Sequence, residues 1–212
     1  MSDTRTKAEK HDKRVAQGTA TRVALLQAAR ELFGERGFAA TATEDVVARA
    51  GVTKGALYHH FGGKEHLFRA VFEQVSTEVS DEACGDFLLP DSWAALVLGC
   101  NRWVDAYLDP AVQRIVLRDA RAVLGWETVR DIETRYAAVA LRGALRKAMH
   151  AGVITRQPLR PLALMLIGAL RESCFYVADS HDQATARSEV SHLIELLLTS
   201  LRVVDQQSTG AA

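Results

Sequence analysis

Apolar side chains recur along this chain at intervals of three or four residues, the spacing that puts them on one side of an α-helix. Val23, Leu26, Ala29 and Phe33 form a first stripe, closed by Gly34 and Gly37, and Leu67, Val71, Val75 and Val79 form a second. The segments from Trp93 to Leu108, Val112 to Leu124, Glu127 to Met149, Leu159 to Asp179 and Ala184 to Val204 repeat the pattern. Strand signals are sparse, and no Asn-Gly or Asp-Gly hairpin turn occurs. The pattern predicts an all-α chain of about nine helices, with a flexible basic arm over 1–18 and a flexible tail over 205–212. Asp109-Pro110 should end one helix and open the next, because a first-turn proline loses no hydrogen bond. Gly152 suits a left-handed helix C-cap.

Composition adds constraints. The 212 residues are 48% hydrophobic and 25% charged, as in soluble globular proteins. The apolar run Leu162 to Leu170 stops at Arg171, short of the roughly 18 residues a membrane span needs. The first 22 residues lack the apolar core of a secretion signal. Cys84, Cys100 and Cys174 are odd in number and far apart, which disfavours a disulfide framework. A cytoplasmic protein, with no membrane association, is the expectation. The zero net charge is unevenly spread: residues 1–64 carry a net +4 and residues 65–212 a net −4. A basic N-terminal third suggests that one end meets a polyanion.

The chemistry concentrates in residues 41–65. Thr43 is expected to cap a short helix, with Glu44 and Asp45 favourable beside its positive end. Thr41 and Glu44 form a competing capping box. Val46, Val47 and Ala50 face inward, Gly51 allows a tight turn, and Thr53 caps a second helix anchored by Val52 and Leu57. The result is a helix-turn-helix whose second helix exposes Lys54, Gly55, Ala56, Tyr58, His59 and His60. Gly55 and Ala56 are small enough for close approach to base edges, and Lys54 can donate to guanine or to phosphate. Tyr58 and Lys64 suit phosphate oxygens. A helical hairpin buried inside a larger domain is the alternative.

These residues resemble the DNA-binding domain of the TetR family of bacterial transcriptional regulators. The likeness rests on Leu32-Phe33-Gly34-Glu35-Arg36-Gly37-Phe38, on Thr43 to Val47, and on Ala50-Gly51-Val52. It rests above all on Leu57-Tyr58-His59-His60-Phe61-Gly62-Gly63-Lys64-Glu65-His66-Leu67. Val47 stands where the family usually has Ala, and Gly63 where it has Ser or Asn. The resemblance implies a helix-turn-helix domain over 19–66 and a regulatory, ligand-binding and dimerisation domain over 67–204. It implies phosphate contacts from Thr43, Tyr58, His59 and Lys64, and places Thr53, Lys54, Gly55 and Ala56 at the DNA. The expected partners are a palindromic double-stranded DNA operator, a second copy of the chain and a small-molecule inducer. Repression is the expected mode; activation, or regulation without an inducer, is the alternative.

For the C-terminal part, a last helix apolar on two sides predicts a dimer interface through Val190, Ile194, Leu197 and Leu201, with a deeply buried monomeric helix as the alternative. Aromatic and polar residues within apolar runs predict ligand contacts from Cys100, Trp103, Tyr107, Arg121, Trp126, Arg171 and Phe175, and a largely hydrophobic ligand. No HExxH, GxSxG, P-loop or dinucleotide fingerprint occurs. No catalytic residue, metal or cofactor is therefore expected.

Overall fold

The computed structural model describes residues 2–203, with side chains from residue 15 onward. The expected tail over 205–212 lies outside the described residues. Helices α1 (Ser2–Arg36), α2 (Thr43–Ala50), α3 (Lys54–Phe61), α4 (Lys64–Phe87) and α5 (Ser92–Ala106) come first. An interrupted helix follows, made of α6 (Pro110–Val112), a π-helical stretch (Gln113–Asp119) and α7 (Ala120–Leu124). Helices α8 (Trp126–His150), α9 (Leu159–Asp179) and α10 (Gln183–Thr199) complete the chain. With the interrupted helix counted once, nine helices are present among the described residues.

Local signals explain many of the boundaries. Asp109 accepts a hydrogen bond from the Ala111 N–H at 2.8 Å, and Pro110 occupies the first turn, as predicted. After α8, Gly152 is left-handed at φ 69°, and the Val153 N–H bonds back to the Ala148 carbonyl at 3.0 Å. The expected arm over 1–18 is instead the start of α1, which runs unbroken from Ser2. Its sequence explains this: lysines, arginines, glutamate and alanine are good helix formers, and Gly18 is a breaker costing only about 1 kcal/mol. The first apolar stripe is also rotated from its expected place. Leu25, Ala28, Ala29, Leu32 and Phe33 are buried, whereas Val23 is exposed.

The chain forms two compact units, Met1–Gln74 with Arg114–Gly125, and Val75–Gln113 with Trp126–Ala212. The expected linear boundary at 66/67 is thus replaced by a divide inside α4, and the segment 114–125 joins the first unit. No sequence break could mark the divide, because Leu67, Val71, Val75 and Val79 are all buried along one continuous helix. In the first unit, Leu25, Leu32, Phe33, Val46, Leu57 and Phe68 are fully or almost fully buried. The rings of Phe33 and Phe38 each meet Phe68 edge-on at 5.2 Å.

In the second unit, α9 packs against α5, α8 and α10, and α10 against α5. Taken whole, α9 is long and apolar enough to cross a membrane, a property the shorter run 162–170 did not reveal. Its packing against three helices also fits the core helix of a bundle. After a turn that ends α10, Arg202 forms an isolated antiparallel bridge with Ile154: the Thr155 N–H donates to the Leu201 carbonyl at 2.9 Å, and the Val203 N–H to Val153 at 3.2 Å.

Gly99 on α5 faces the Phe87 ring so closely that an added Cβ would lie 2.2 Å from Cε1. Gly99→Ala should therefore force α5 or the buried ring to move. An overpacking loss of about 1–3 kcal/mol is expected, read as a lower urea midpoint at unchanged slope.

Candidate nucleic-acid interface

The helix-turn-helix is assembled mostly by short-range bonds. Thr41 is buried, and its hydroxyl donates to the Gly37 carbonyl at 2.8 Å, so it anchors the loop to α1 and does not cap α2. Ala42 occupies the N-cap position, and its N–H donates to the Asp45 carboxylate at 3.4 Å. Thr43, expected as the cap, is the first helical residue, and its hydroxyl donates to Glu44 at 3.0 Å. Alanine offers no side-chain acceptor, so Asp45 alone supplies side-chain capping here.

The turn follows the expected chemistry. Gly51 adopts φ 66°, its N–H reaches the Ala48 carbonyl, and the Val52 N–H reaches Val47 at 3.0 Å. Thr53 caps α3 by accepting from the Ala56 N–H at 3.3 Å. Val46 and Leu57 are completely buried.

These constraints aim one face of α3 outward. Thr53, Lys54, Gly55, Tyr58 and His59 are exposed, while Ala56 and Thr43 are half-buried. His60 does not belong to that face: it is half-buried, with Cε1 3.9 Å from where a Cβ on Gly18 would stand. Lys64 opens α4 with its ammonium over the Phe38 ring at 4.2 Å. The face also carries a pair not foreseen from sequence. Lys54 donates to Glu44 at 2.6 Å, and this bond holds the Glu44 carboxyl down at about 2. Asp119 is the other addition. Its carboxylate accepts from the Phe38 N–H at 2.7 Å, and Arg114 donates to the Glu35 carbonyl. Partners about eighty positions apart leave no local signal.

The second unit divides the expected ligand residues. A cleft of about 370 Å³ between α8 and α9 is lined by Trp126, Arg130, Arg142, Arg160 and Leu164 among others. A neighbouring cleft of about 220 Å³ shares Trp126, Arg130 and Leu164 and adds Glu133 and Arg171. Arg171 pairs with Glu133 at 3.2 Å and lies over the Trp126 ring at 5.4 Å. Of the expected set, Trp126 and Arg171 therefore come together at a cleft. Trp103 and Tyr107 are buried, Phe175 is half-buried, and Arg121 is exposed on the segment that joins the first unit. Cys100 faces a void of about 30 Å³, room for roughly one water. Burial pushes its thiol up to about 12 and raises that of Cys174 as well, so both are poor nucleophiles.

The expected interface residues also separate. Val190 and Ile194 are buried by their own chain, and Leu201 is half-buried beyond the end of α10. Leu197 is exposed, together with Leu193 and Leu196 on α10 and Leu164, Met165 and Tyr176 on α9. Periodicity identified two apolar sides of α10 but did not say which one faces inward.

A basic-third helix-turn-helix joined to a larger helical unit defines the class of helical DNA-binding regulators. Residues 25–71 match the model for "Bacterial regulatory proteins, tetR family", and residues 93–201 match "Tetracyclin repressor-like, C-terminal domain". A crystal structure of a TetR-family transcriptional regulator from Pectobacterium atrosepticum is 35% identical with a TM-score of 0.78, over 89% of this chain and 97% of that one. The Tn10 TetC protein of Escherichia coli is 23% identical over 84% of this chain and 90% of its own length. The transcriptional repressor Rv3405c of Mycobacterium tuberculosis is 46% identical over 57 residues, which cover 27% of this chain and 30% of that protein. The chain belongs to the TetR family of transcriptional regulators, which are not enzymes.

Thr53→Ala removes the acceptor for the Ala56 N–H. A loss of about 1 kcal/mol in urea unfolding is expected, with Thr53→Ser restoring most of it.

Proposed function

We propose that the chain is a homodimeric repressor that leaves a near-palindromic DNA operator when a small molecule binds its second unit. The exposed, capped face of α3 carries the reading: Thr53, Lys54, Gly55, Tyr58 and His59 combine small residues with polar and cationic donors. Gly55 and Ala56 would allow close approach to base edges. Thr43, Tyr58, His59 and Lys64 would hold phosphates and fix the register. Two such helices in a dimer would enter major grooves about 34 Å apart, or a multiple of that.

Dimerisation is supported by the exposed apolar residues Leu193, Leu196 and Leu197 on α10 with Met165 and Tyr176 on α9. Contiguous apolar surface of this kind marks a partner-binding region. Leu197 is exposed in the single chain, so Leu197→Arg leaves the monomer fold intact. Light scattering should report monomers, and affinity for DNA selected from a random pool should fall about 100-fold or more with the loss of bivalency. A Leu197→Arg dimer would refute this interface.

The clefts between α8 and α9 favour a different inducer from the largely hydrophobic one expected. Trp126 offers an exposed ring, and Arg130, Arg142 and Arg160 outnumber the acids of the lining, Glu127 and Asp131, the latter already paired with Arg135. A planar aromatic compound with an anionic group fits that lining better. Benzoate and naphthoate derivatives should quench tryptophan emission saturably, and Trp126→Phe should abolish the effect. Reciprocal linkage requires operator DNA to weaken the same binding by the factor with which the compound weakens DNA binding. Identical dissociation constants with and without operator would rule out induction by that compound.

A further inference from the structure

Lys54 is the one lysine or arginine on α3, and its ammonium is already engaged. The Lys54 Nζ to Glu44 Oε1 distance is 2.6 Å, and both side chains are more than half exposed, 55% and 62%. The other Glu44 oxygen accepts from the Thr43 hydroxyl at 3.0 Å, so the carboxylate is held at the start of α2. Two arginines on or beside α2 are ion-paired as well. Arg49 pairs with Glu35 and Glu31 at 3.1 and 3.4 Å, and Arg36 lies 3.6 Å from Asp45. The recognition helix thus approaches a polyanion with its permanent positive charge neutralised by a carboxylate on the preceding helix.

We propose that Glu44 is a specificity-determining residue that suppresses Lys54 toward the phosphate backbone and lets it act at a guanine–cytosine pair. The reasoning rests on the DNA-binding reading above. Against phosphates, Glu44 offers only repulsion and competes for the Lys54 ammonium, so non-specific binding gains little from Lys54. A guanine–cytosine pair presents O6 and N7 as acceptors for the ammonium. Beside them, the cytosine N4 amino group can donate to the carboxylate. The Lys54–Glu44 pair can therefore dock as a unit on that base pair without either charge losing its partner. An exposed pair of this kind is weak enough to adjust its geometry on docking. The Glu44 carboxyl, held at about 2, stays ionised throughout the neutral range, so the restraint does not depend on physiological pH.

The test compares the full-length protein with Glu44→Gln, which keeps the size and the acceptor for Thr43 while removing the charge. Binding is measured between 50 and 300 mM salt, screening lengths of about 14 Å down to about 6 Å, on a duplex selected by the unmodified protein and on a scrambled duplex. Glu44→Gln should bind the scrambled duplex about tenfold more tightly, with a salt slope steeper by about one to two for the dimer. Affinity for the selected duplex should rise less, so the specificity ratio falls. Repeating the selection with Glu44→Gln should relax a guanine–cytosine preference at one position per half-site. Equal gains on both duplexes, an unchanged salt slope, or a retained base preference would overturn the proposal while leaving DNA binding intact. Loss of any salt-dependent DNA binding by the unmodified protein would overturn the DNA reading itself, and this proposal with it.

Discussion

The first unit depends on the ring cluster of Phe33, Phe38 and Phe68. Phe33 comes from α1, Phe38 from the loop that leaves it, and Phe68 from α4, with Phe68 meeting the others at interplanar angles of 70° and 74°. Edge-on pairs of this kind contribute about 0.5–1.5 kcal/mol each beyond their buried area. By holding the loop to both helices, the cluster fixes where α2 begins and hence how α3 is presented. It also reaches the exposed face directly, because the Lys64 ammonium sits over Phe38 at 4.2 Å.

Features set by neighbours in sequence were readable in advance. The turn at Gly51, the Thr53 cap, the Asp109-Pro110 junction and the Gly152 ending each depend on bonds spanning a few residues. The all-α class followed from periodicity for the same reason. The cap at Thr43 failed where two threonines competed: Thr41 turned its hydroxyl back to the Gly37 carbonyl, four residues earlier, and left Ala42 at the cap. The expected ligand residues scattered for a different reason. Composition counts aromatic and polar side chains but cannot say which become enclosed, and Trp103, Tyr107 and Cys100 went into the core. Val190 and Ile194 likewise satisfy the same repeat as Leu193 and Leu197 while pointing the other way.

Charged side chains set the register of the apolar helices in the second unit. Arg187 on α10 reaches Asp105 at 2.6 Å and the Asn101 carbonyl at 3.1 Å, both on α5. Tyr176 on α9 donates to Glu189 on α10 at 2.6 Å, and Arg171 on α9 pairs with Glu133 on α8. Apolar faces alone would tolerate sliding by a turn, whereas each of these bonds is satisfied at one offset. The pairs are therefore better understood as alignment devices than as large sources of stability.

The π-helical stretch Gln113–Asp119 gives the chain an unusual tolerance of its own length. A π-helical turn holds more residues than an α-helical one, and Asp119 closes that stretch while bonding to the Phe38 N–H. A gene variant lacking one codon between 113 and 118 would rewind the stretch as ordinary α-helix, and the residues on either side would keep their facing. The Asp119 carboxylate would still reach the loop before α2, whereas the same deletion in an unbroken α-helix would turn everything beyond it by about 100°.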